Sequence, residues 1–395
     1  MADDGVQGSE DAGFFGEIRA AAVLKHAILS RYLHVYASKT GTRSPGRRVV
    51  YFDGYAGPGR YADKDRTAGS PLIAARVARN LASLRPPRNL ELFLVEKDPD
   101  AAERLREVMA TEGKILGVQS AIHDGDVAEC LDLLLADCLG VPLFGFLDPY
   151  GRGLPPHSLA KLMNRHRDGQ GRPQTELLIN FSDITVRRIG GLLTSQSPQP
   201  GDRATLARLD QACGGDWWRD AYLAAGSISA GVEAVVSGYR RLLEGSTSSK
   251  SWCVPVRNRR HQEPRYYLIF LSRHPDGLWE FGEALSLAAK EWREFIDREE
   301  YGEADRLFDM EPHLEETWEA AIAANLAKLI DEGAAPFVVR DKYEAVMGEA
   351  LGLAREKHIR AALKRLHAAG QTATNGKGDV AMMEIRPPDP LATPS

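Results

Sequence analysis

A doubly wound α/β sheet is the fold class this 395-residue sequence predicts, on three observations. Short apolar runs alternate with helix-patterned segments between residues 48 and 181. Several of those runs end in an acid or amide, at the edge where a parallel sheet binds its ligands. Two more strand-like runs follow a long helical stretch, as the last strands of the same sheet would after an insertion.

The elements follow in order. Residues 1–13 read as a flexible acidic tail, and Gly16 to Tyr36 as a helix with Ala21, Leu24, Ile28, Tyr32 and Val35 on one face. Strands are expected at Arg48–Asp53, Leu90–Glu96, Val118–His123, Pro142–Asp148 and Glu176–Phe181, short runs of the kind buried on both faces of a parallel sheet. Between them helices are expected at Pro71–Leu84, Asp100–Thr111, Val127–Cys138 and His157–Arg165. A helical insertion at about 187–250 precedes strands at Ser251–Arg257 and Arg265–Ser272, which complete a Rossmann-like domain over 14–275. A linking helix is expected within 276–312. A small module over 313–387 has helices near Glu315–Glu332, Lys342–Leu351 and Arg355–Ala369, then two short strands around Asn375-Gly376-Lys377-Gly378. Three helices and a Gly-tipped hairpin are the winged-helix arrangement. Residues 388–395 read as a loose tail.

Composition narrows the function. Hydrophobic residues make up 43% of the chain, enough for real cores. No run approaches the ~20 apolar residues of a membrane span. The four cysteines, Cys130, Cys138, Cys213 and Cys253, have no CxxC spacing, which disfavours a disulfide framework or zinc ribbon. With no apolar signal core in Met1–Gly13, a reducing cytoplasm is expected. A net charge of −5 disfavours chain-wide polyanion binding while leaving local basic patches. The histidines form no ligand spacing, so no metal is expected. GxSxG and GxxxxGK[ST] motifs are absent, so the α/β-hydrolase and P-loop NTPase readings lack support.

The chemistry-bearing residues lie at strand ends. Asp53-Gly54-Tyr55-Ala56-Gly57-Pro58-Gly59 follows the first strand, and its glycines let backbone amides approach a ligand. Ser70-Pro71 reads as the next helix start, with Ser70 as N-cap, and Arg60–Gly69 is left as an inserted loop or lid. Glu96 ends the second strand, where an acid accepts from ribose hydroxyls. It lies more than twice the ~20-residue Rossmann gap beyond Asp53, which disfavours a nicotinamide cofactor. Asp126, after the third strand, either accepts from an adenine amine or caps the helix at Val127. Asp148-Pro149-Tyr150-Gly151 offers a carboxylate and a carbonyl to orient an amine, and an aromatic to stack on a flipped base. Basic clusters occur at Arg257, Arg259 and Arg260, and at Lys357, Arg360 and Lys364 on one helix face. Both are candidate phosphate contacts.

As a set, Leu24-Lys25-His26, the Asp53–Gly59 loop, Gly69-Ser70-Pro71, Glu96-Lys97-Asp98-Pro99, Asp148-Pro149-Tyr150-Gly151 and Leu178-Ile179-Asn180-Phe181 resemble the three-Cys-motif partner protein (TcmP) family over about residues 20–275. More widely they resemble class I S-adenosylmethionine (SAM) methyltransferases. The resemblance implies SAM as cofactor across Asp53, Gly54, Gly57, Gly59, Glu96 and Asp126. It also implies a radical-enzyme-like partner protein with three clustered cysteines. Lys25-His26 with Ala56-Gly57-Pro58-Gly59-Arg60-Tyr61 is similar to the ribosomal-RNA adenine methyltransferases of the RlmJ type, which implies that Lys25 meets the methionine carboxylate. Those enzymes carry DPPY at the fourth strand. This chain has DPYG, closer to the DPFG of tRNA guanine dimethylases, which leaves adenine and guanine both open. The expectation is methylation of a nucleobase amine in RNA or DNA by Asp148, Pro149 and Tyr150. The alternative is a non-catalytic subunit that binds nucleic acid or cofactor for the three-cysteine protein.

Overall fold

The computed structural model describes residues 20–63, 66–149, 153–165, 174–195, 197, 199–301, 311–333 and 336–388. Tyr150 and the tail at 1–13 lie outside the described residues, as does most of the tail at 388–395. The chain divides into two compact units, 1–273 and 274–395.

The first unit is built on a seven-stranded sheet. Its strands are β1 (Arg48–Asp53), β2 (Asn89–Glu96), β3 (Ser120–Asp124), β4 (Leu143–Leu147), β5 (Thr175–Phe181), β6 (Lys250–Val256) and β7 (Tyr266–Ser272). The order is β3-β2-β1-β4-β5-β7-β6. β1 to β5 run parallel, and β7 is antiparallel to both neighbours. The central strands are buried on both faces because helices cover both, so they read as continuous apolar runs rather than alternating ones. The chain winds outward from β1 to β3, then returns to β4 and β5. The crevice where a doubly wound sheet binds ligands therefore lies at the carboxyl ends of β1 and β4.

Helices α1 (Ala20–Thr40), α2 (Ser70–Ala82), α3 (Pro99–Val108), α4 (Val127–Asp137) and α5 (Pro156–Met163) pack on the sheet. α6 (Asp183–Gly190), α7 (Asp202–Cys213), α8 (Trp217–Ala224) and α9 (Ile228–Thr247) form the insertion between β5 and β6. Their apolar side chains, Trp218 and Leu243 among them, continue the core of the sheet face below. Asp98 caps α3, accepting from Ala101 N at 2.7 Å.

Several boundaries differ from expectation. Gly69, not Ser70, is the N-cap of α2, because the Ser70 hydroxyl is taken by Asp53. α5 stops at Met163, two residues short, because Arg165 turns inward. β3 begins two residues late. It is an edge strand of exposed and half-buried residues, with no apolar run to mark it.

Two buried polar groups hold the sheet. Arg165 donates to Thr175 Oγ1 (2.7 Å) and to the carbonyls of Cys138 (2.7 Å) and Val141 (2.5 Å). Glu176 accepts from Tyr32 Oη (2.6 Å), Ser272 Oγ (2.7 Å) and Gln174 Nε2 (3.1 Å), tying α1 to β5 and β7 without a cation. Burial pushes its carboxyl up to about 7, against those three bonds, from 4.5. A raised carboxyl stabilises the fold most below the unfolded value, and that contribution is lost as pH climbs from 4.5 to 7. Glu176→Gln is therefore expected to be more stable than the native chain at pH 8 by about 1–3 kcal/mol, with the gain vanishing near pH 4.5. Urea unfolding at the two pH values measures it, and an equal difference at both would contradict it.

The second unit contains α10 (Pro275–Tyr301), α11 (Glu311–Asp331), β8 (Phe337–Val338), α12 (Tyr343–Met347), α13 (Glu356–Ala368) and β9 (Glu384–Ile385). The ring of Trp279 in α10 lies 4.7 Å from that of Tyr343, and Glu283 pairs with Arg355 at 2.9 Å, so this helix is built into the unit. The helix expected at Lys342–Leu351 is broken by Gly348, whose φ of 51° leaves the helical region.

The strands expected around Asn375–Gly378 are corrected. β8 pairs with β9 instead. The segment at 372–374 does lie beside 384–387, but threonine hydroxyls replace much of the ladder: Thr372 Oγ1 donates to Arg386 O (2.6 Å) and Thr374 Oγ1 to Glu384 O (2.9 Å).

Candidate cofactor and acceptor site

The loop after β1 shapes the site. Gly57 and Gly59 have φ of 62° and 78°, in the left-handed region that favours glycine. A Cβ on Gly57 would meet nothing within 4 Å, whereas one on Gly59 would press on Leu105 and Val108 at 3.2 Å. The loop thus packs on α3 at Gly59 while its Gly57 side stays open. Glu96 Oε2 accepts from Gly57 N at 2.7 Å, and Oε1 from Asp98 N at 2.8 Å, so the β2 acid braces the loop.

Asp53 lies fully buried beneath this loop. It accepts from Tyr51 Oη (2.9 Å) and Tyr55 N (3.2 Å), and burial raises its carboxyl to about 6 despite those bonds and Ser70. Its place is under the cradle, joining β1 to α2, and it is not part of the cavity wall.

A cavity of about 1680 Å³ opens over these strand ends. Gly54, Gly57, Glu96 and Asp126 line it together, as does Tyr61 from the inserted loop. That volume exceeds the ~300–1,000 Å³ of most small-ligand sites, leaving room for a cofactor and part of a second molecule. Asp126 caps α4, its Oδ1 accepting from Ala128 N (3.0 Å), and it also lines the cavity with Oδ2 on Lys97 Nζ (3.0 Å).

Lys25 and Asp148, predicted for different roles, are brought together. α1 delivers Lys25 Nζ to Asp148 Oδ2 at the end of β4, and Asn180 Nδ2 donates to Oδ1 at 2.5 Å. Burial works against charge at both groups, but the pairing overrides it. Lys25 is held well above its usual range, and Asp148 is held below the usual carboxylate value by Lys25 and Asn180. Each Asp148 oxygen keeps a second lone pair, and the side chain is 21% exposed, so it can accept another hydrogen bond. Beside the pair, burial and the Lys25 charge push His26 down to about 3, leaving a neutral imidazole 3.2 Å from Tyr61 Oη.

A smaller cavity of about 310 Å³ adjoins this edge, lined by Pro149 and Asn180 from the strand ends and by residues of α6, α7 and α9. Gly153, Leu154 and Ala212 border both cavities. Asn180 was legible as a strand-end amide. The insertion residues Arg188 and Arg208 were missed, since no spacing sets them apart from other surface arginines.

The residues of the two basic clusters are not among those lining either cavity. Arg257 is half-buried, and Arg259 and Arg260 are exposed in the β6–β7 turn, where Asn258 Oδ1 accepts from Ala21 N at 3.2 Å. In the second unit, Lys357 pairs with Glu315 (2.5 Å). Arg360 pairs with Glu356 (2.7 Å) and also donates to Gly376 O (2.9 Å), while Lys364 is exposed. Acids of its own unit thus partly neutralise that face.

No protein-family model and no curated protein matches the sequence. Among solved structures, the chain is similar to the SAM-bound O-methyltransferase TomG of Streptomyces achromogenes, involved in tomaymycin synthesis. The identity is 15% and the TM-score 0.31, over 69% of this chain and 100% of that one. It is also similar to a Klebsiella pneumoniae protein assigned as an O-methyltransferase, at 12% identity and TM-score 0.30, over 68% of this chain and 96% of that one. A geranyl diphosphate methyltransferase follows at 14% and 0.25, over 61% and 77%. At such values the likeness assigns no activity.

Among the described residues no group of His, Cys, Asp and Glu is set to hold a metal ion, and no helix is long and apolar enough to cross a membrane.

Proposed function

We propose that the chain is a SAM-dependent methyltransferase. The observation that carries the reading is the cradle at the ends of β1 and β2: the open Gly57 turn braced by Glu96, with Asp126 across the same cavity. The donor set fits the cofactor. Half-buried Glu96 faces ribose hydroxyls with its spare lone pairs, and the turn lets the backbone approach the ligand. Gly54 and Asp126 complete the wall.

When bound, SAM supplies a methyl group on a positively charged sulfur. The chain's own part is positioning. Asp148, kept ionised by Lys25 and Asn180 and set behind the Pro149 and Asn180 edge of the smaller cavity, accepts an N–H of the acceptor and so orients the amine's lone pair toward the methyl group. The Pro149 carbonyl is the second acceptor in this reading, and Tyr150 the stacking partner. Asp148 is too weak a base to carry a proton away, so the acceptor's proton leaves to solvent after transfer.

The finer reading is an amine of a nucleobase in RNA or DNA, supported by the Asp148 carboxylate with its unused lone pairs beside Pro149. Arg257, Arg259 and Arg260 are then phosphate contacts. The second unit is read as a winged helix, supported by the order α11, β8, α12, α13, β9 and by the β8–β9 pairing.

The test is transfer of tritium from methyl-labelled SAM to RNA, DNA, protein and small-molecule extracts, with and without a three-cysteine radical-enzyme-like partner. Label is expected in the nucleic-acid fraction. Label in the small-molecule fraction alone would overturn the nucleobase reading, and label in no fraction would overturn catalysis.

A further inference from the structure

The two cavities differ in charge. The larger is mixed, with Glu96, Asp98 and Asp126 set among Arg60, Lys97 and Arg104. The smaller is walled mostly by apolar side chains, including Leu147, Ile179, Phe181 and Tyr239. No carboxylate lines it among the described residues, and its only formal charges are the guanidiniums of Arg188 on α6 and Arg208 on α7. Both arginines are exposed, so their charges stand at the opening rather than on the floor. Neighbouring arginines of the insertion are tied down: Arg187 to Asp183 and Glu263, and Arg219 to Asp210. No such acid is paired with Arg188 or Arg208 among the described residues.

An apolar chamber with two cations at its mouth and no acid is matched to a ring that carries an anionic group. The ring displaces water from the floor, and the anion meets the guanidiniums, which bind carboxylate and phosphate through paired N–H donors. At about 310 Å³ the chamber admits one ring system, so a base presented by a strand would enter alone with the strand outside. It ends at Pro149 and Asn180, beside Asp148, where the acceptor atom has to sit for transfer.

We propose that this chamber binds the acceptor, and that the acceptor is a compact ring bearing an anionic substituent held by Arg188 and Arg208. The proposal rests on the methyl-transfer reading for the acceptor's role, while the binding site stands on the chamber alone. The shared chemistry covers a nucleotide unit and a free aromatic acid.

The experiment uses the full chain and a matched pair of fluorescent probes with one ring system each, 2-naphthalenesulfonate and its uncharged counterpart naphthalene. The sulfonate is expected to bind at least ~10-fold more tightly. Arg188→Glu/Arg208→Glu is expected to abolish the difference, and the milder Arg188→Gln/Arg208→Gln to reduce it, with thermal midpoint and SAM binding unchanged. Adenosine monophosphate displacing the sulfonate while salicylate does not would identify the nucleotide source, and the reverse the aromatic acid. Equal affinity for both probes, binding indifferent to the arginine changes, or displacement by neither competitor overturns the proposal. Loss of SAM binding by the native chain would overturn the cofactor reading instead, and is measured separately by calorimetry.

Discussion

Arg165→Met is expected to lower the unfolding free energy by about 3–5 kcal/mol. Arg165 is only 8% exposed, and its guanidinium has no carboxylate among its partners; it serves Thr175 Oγ1 and the carbonyls of Cys138, Val141 and Gln174. Methionine fills most of the volume but donates nothing. Each buried carbonyl left without a donor costs about 1–3 kcal/mol, partly offset by no longer burying a charge. The same residue joins the ends of β4 and β5 to the turn after α4, so the loss is expected across the whole sheet. Urea unfolding should show the midpoint fall with an unchanged slope. A loss under about 1 kcal/mol would mean that the buried fork contributes little.

The second large effect separates stability from chemistry. Asp148→Ala strips Lys25 of its counter-charge and leaves an ammonium buried, at a cost of about 3–5 kcal/mol. Lys25→Met/Asp148→Leu removes both charges together and is expected to return to within about 1–2 kcal/mol of the native chain. Methyl transfer should fall roughly 10²-fold or more in both variants, because neither can orient the acceptor N–H. If the double variant regains transfer along with stability, Asp148 is a structural partner of Lys25 and not a positioning group. If it stays as unstable as the single variant, Asp148 contributes to the fold beyond its pairing with Lys25.

The sheet was legible because its strands are short apolar runs bounded by turns. Glu96 and Asp126 were legible as carboxylates at strand ends, and both line the cavity. What could not be read is whatever depends on residues distant in the chain. Lys25 and Asp148 are 123 positions apart, and no local pattern announces an ion pair between them. β8 and β9 are two residues each and pair across the intervening α12 and α13, whereas the glycines at 376 and 378 gave a misleading local hairpin signal. Arg165 looked like an ordinary basic helix end, because nothing in its neighbours shows that the chain turns inward there. Asp53 carried the residue type of a ligand contact, yet Tyr51 Oη and the Tyr55 amide claim its carboxylate from below the loop.

Calorimetric titration of SAM into the native chain and into Glu96→Ala decides whether this cavity holds the cofactor. The cradle predicts saturable one-site binding to the native chain and an affinity roughly 10–100-fold weaker in the variant, which loses both the ribose acceptor and the brace on Gly57. No saturable heat from the native chain, or equal affinity in the two, would contradict the assignment of this cavity to the cofactor.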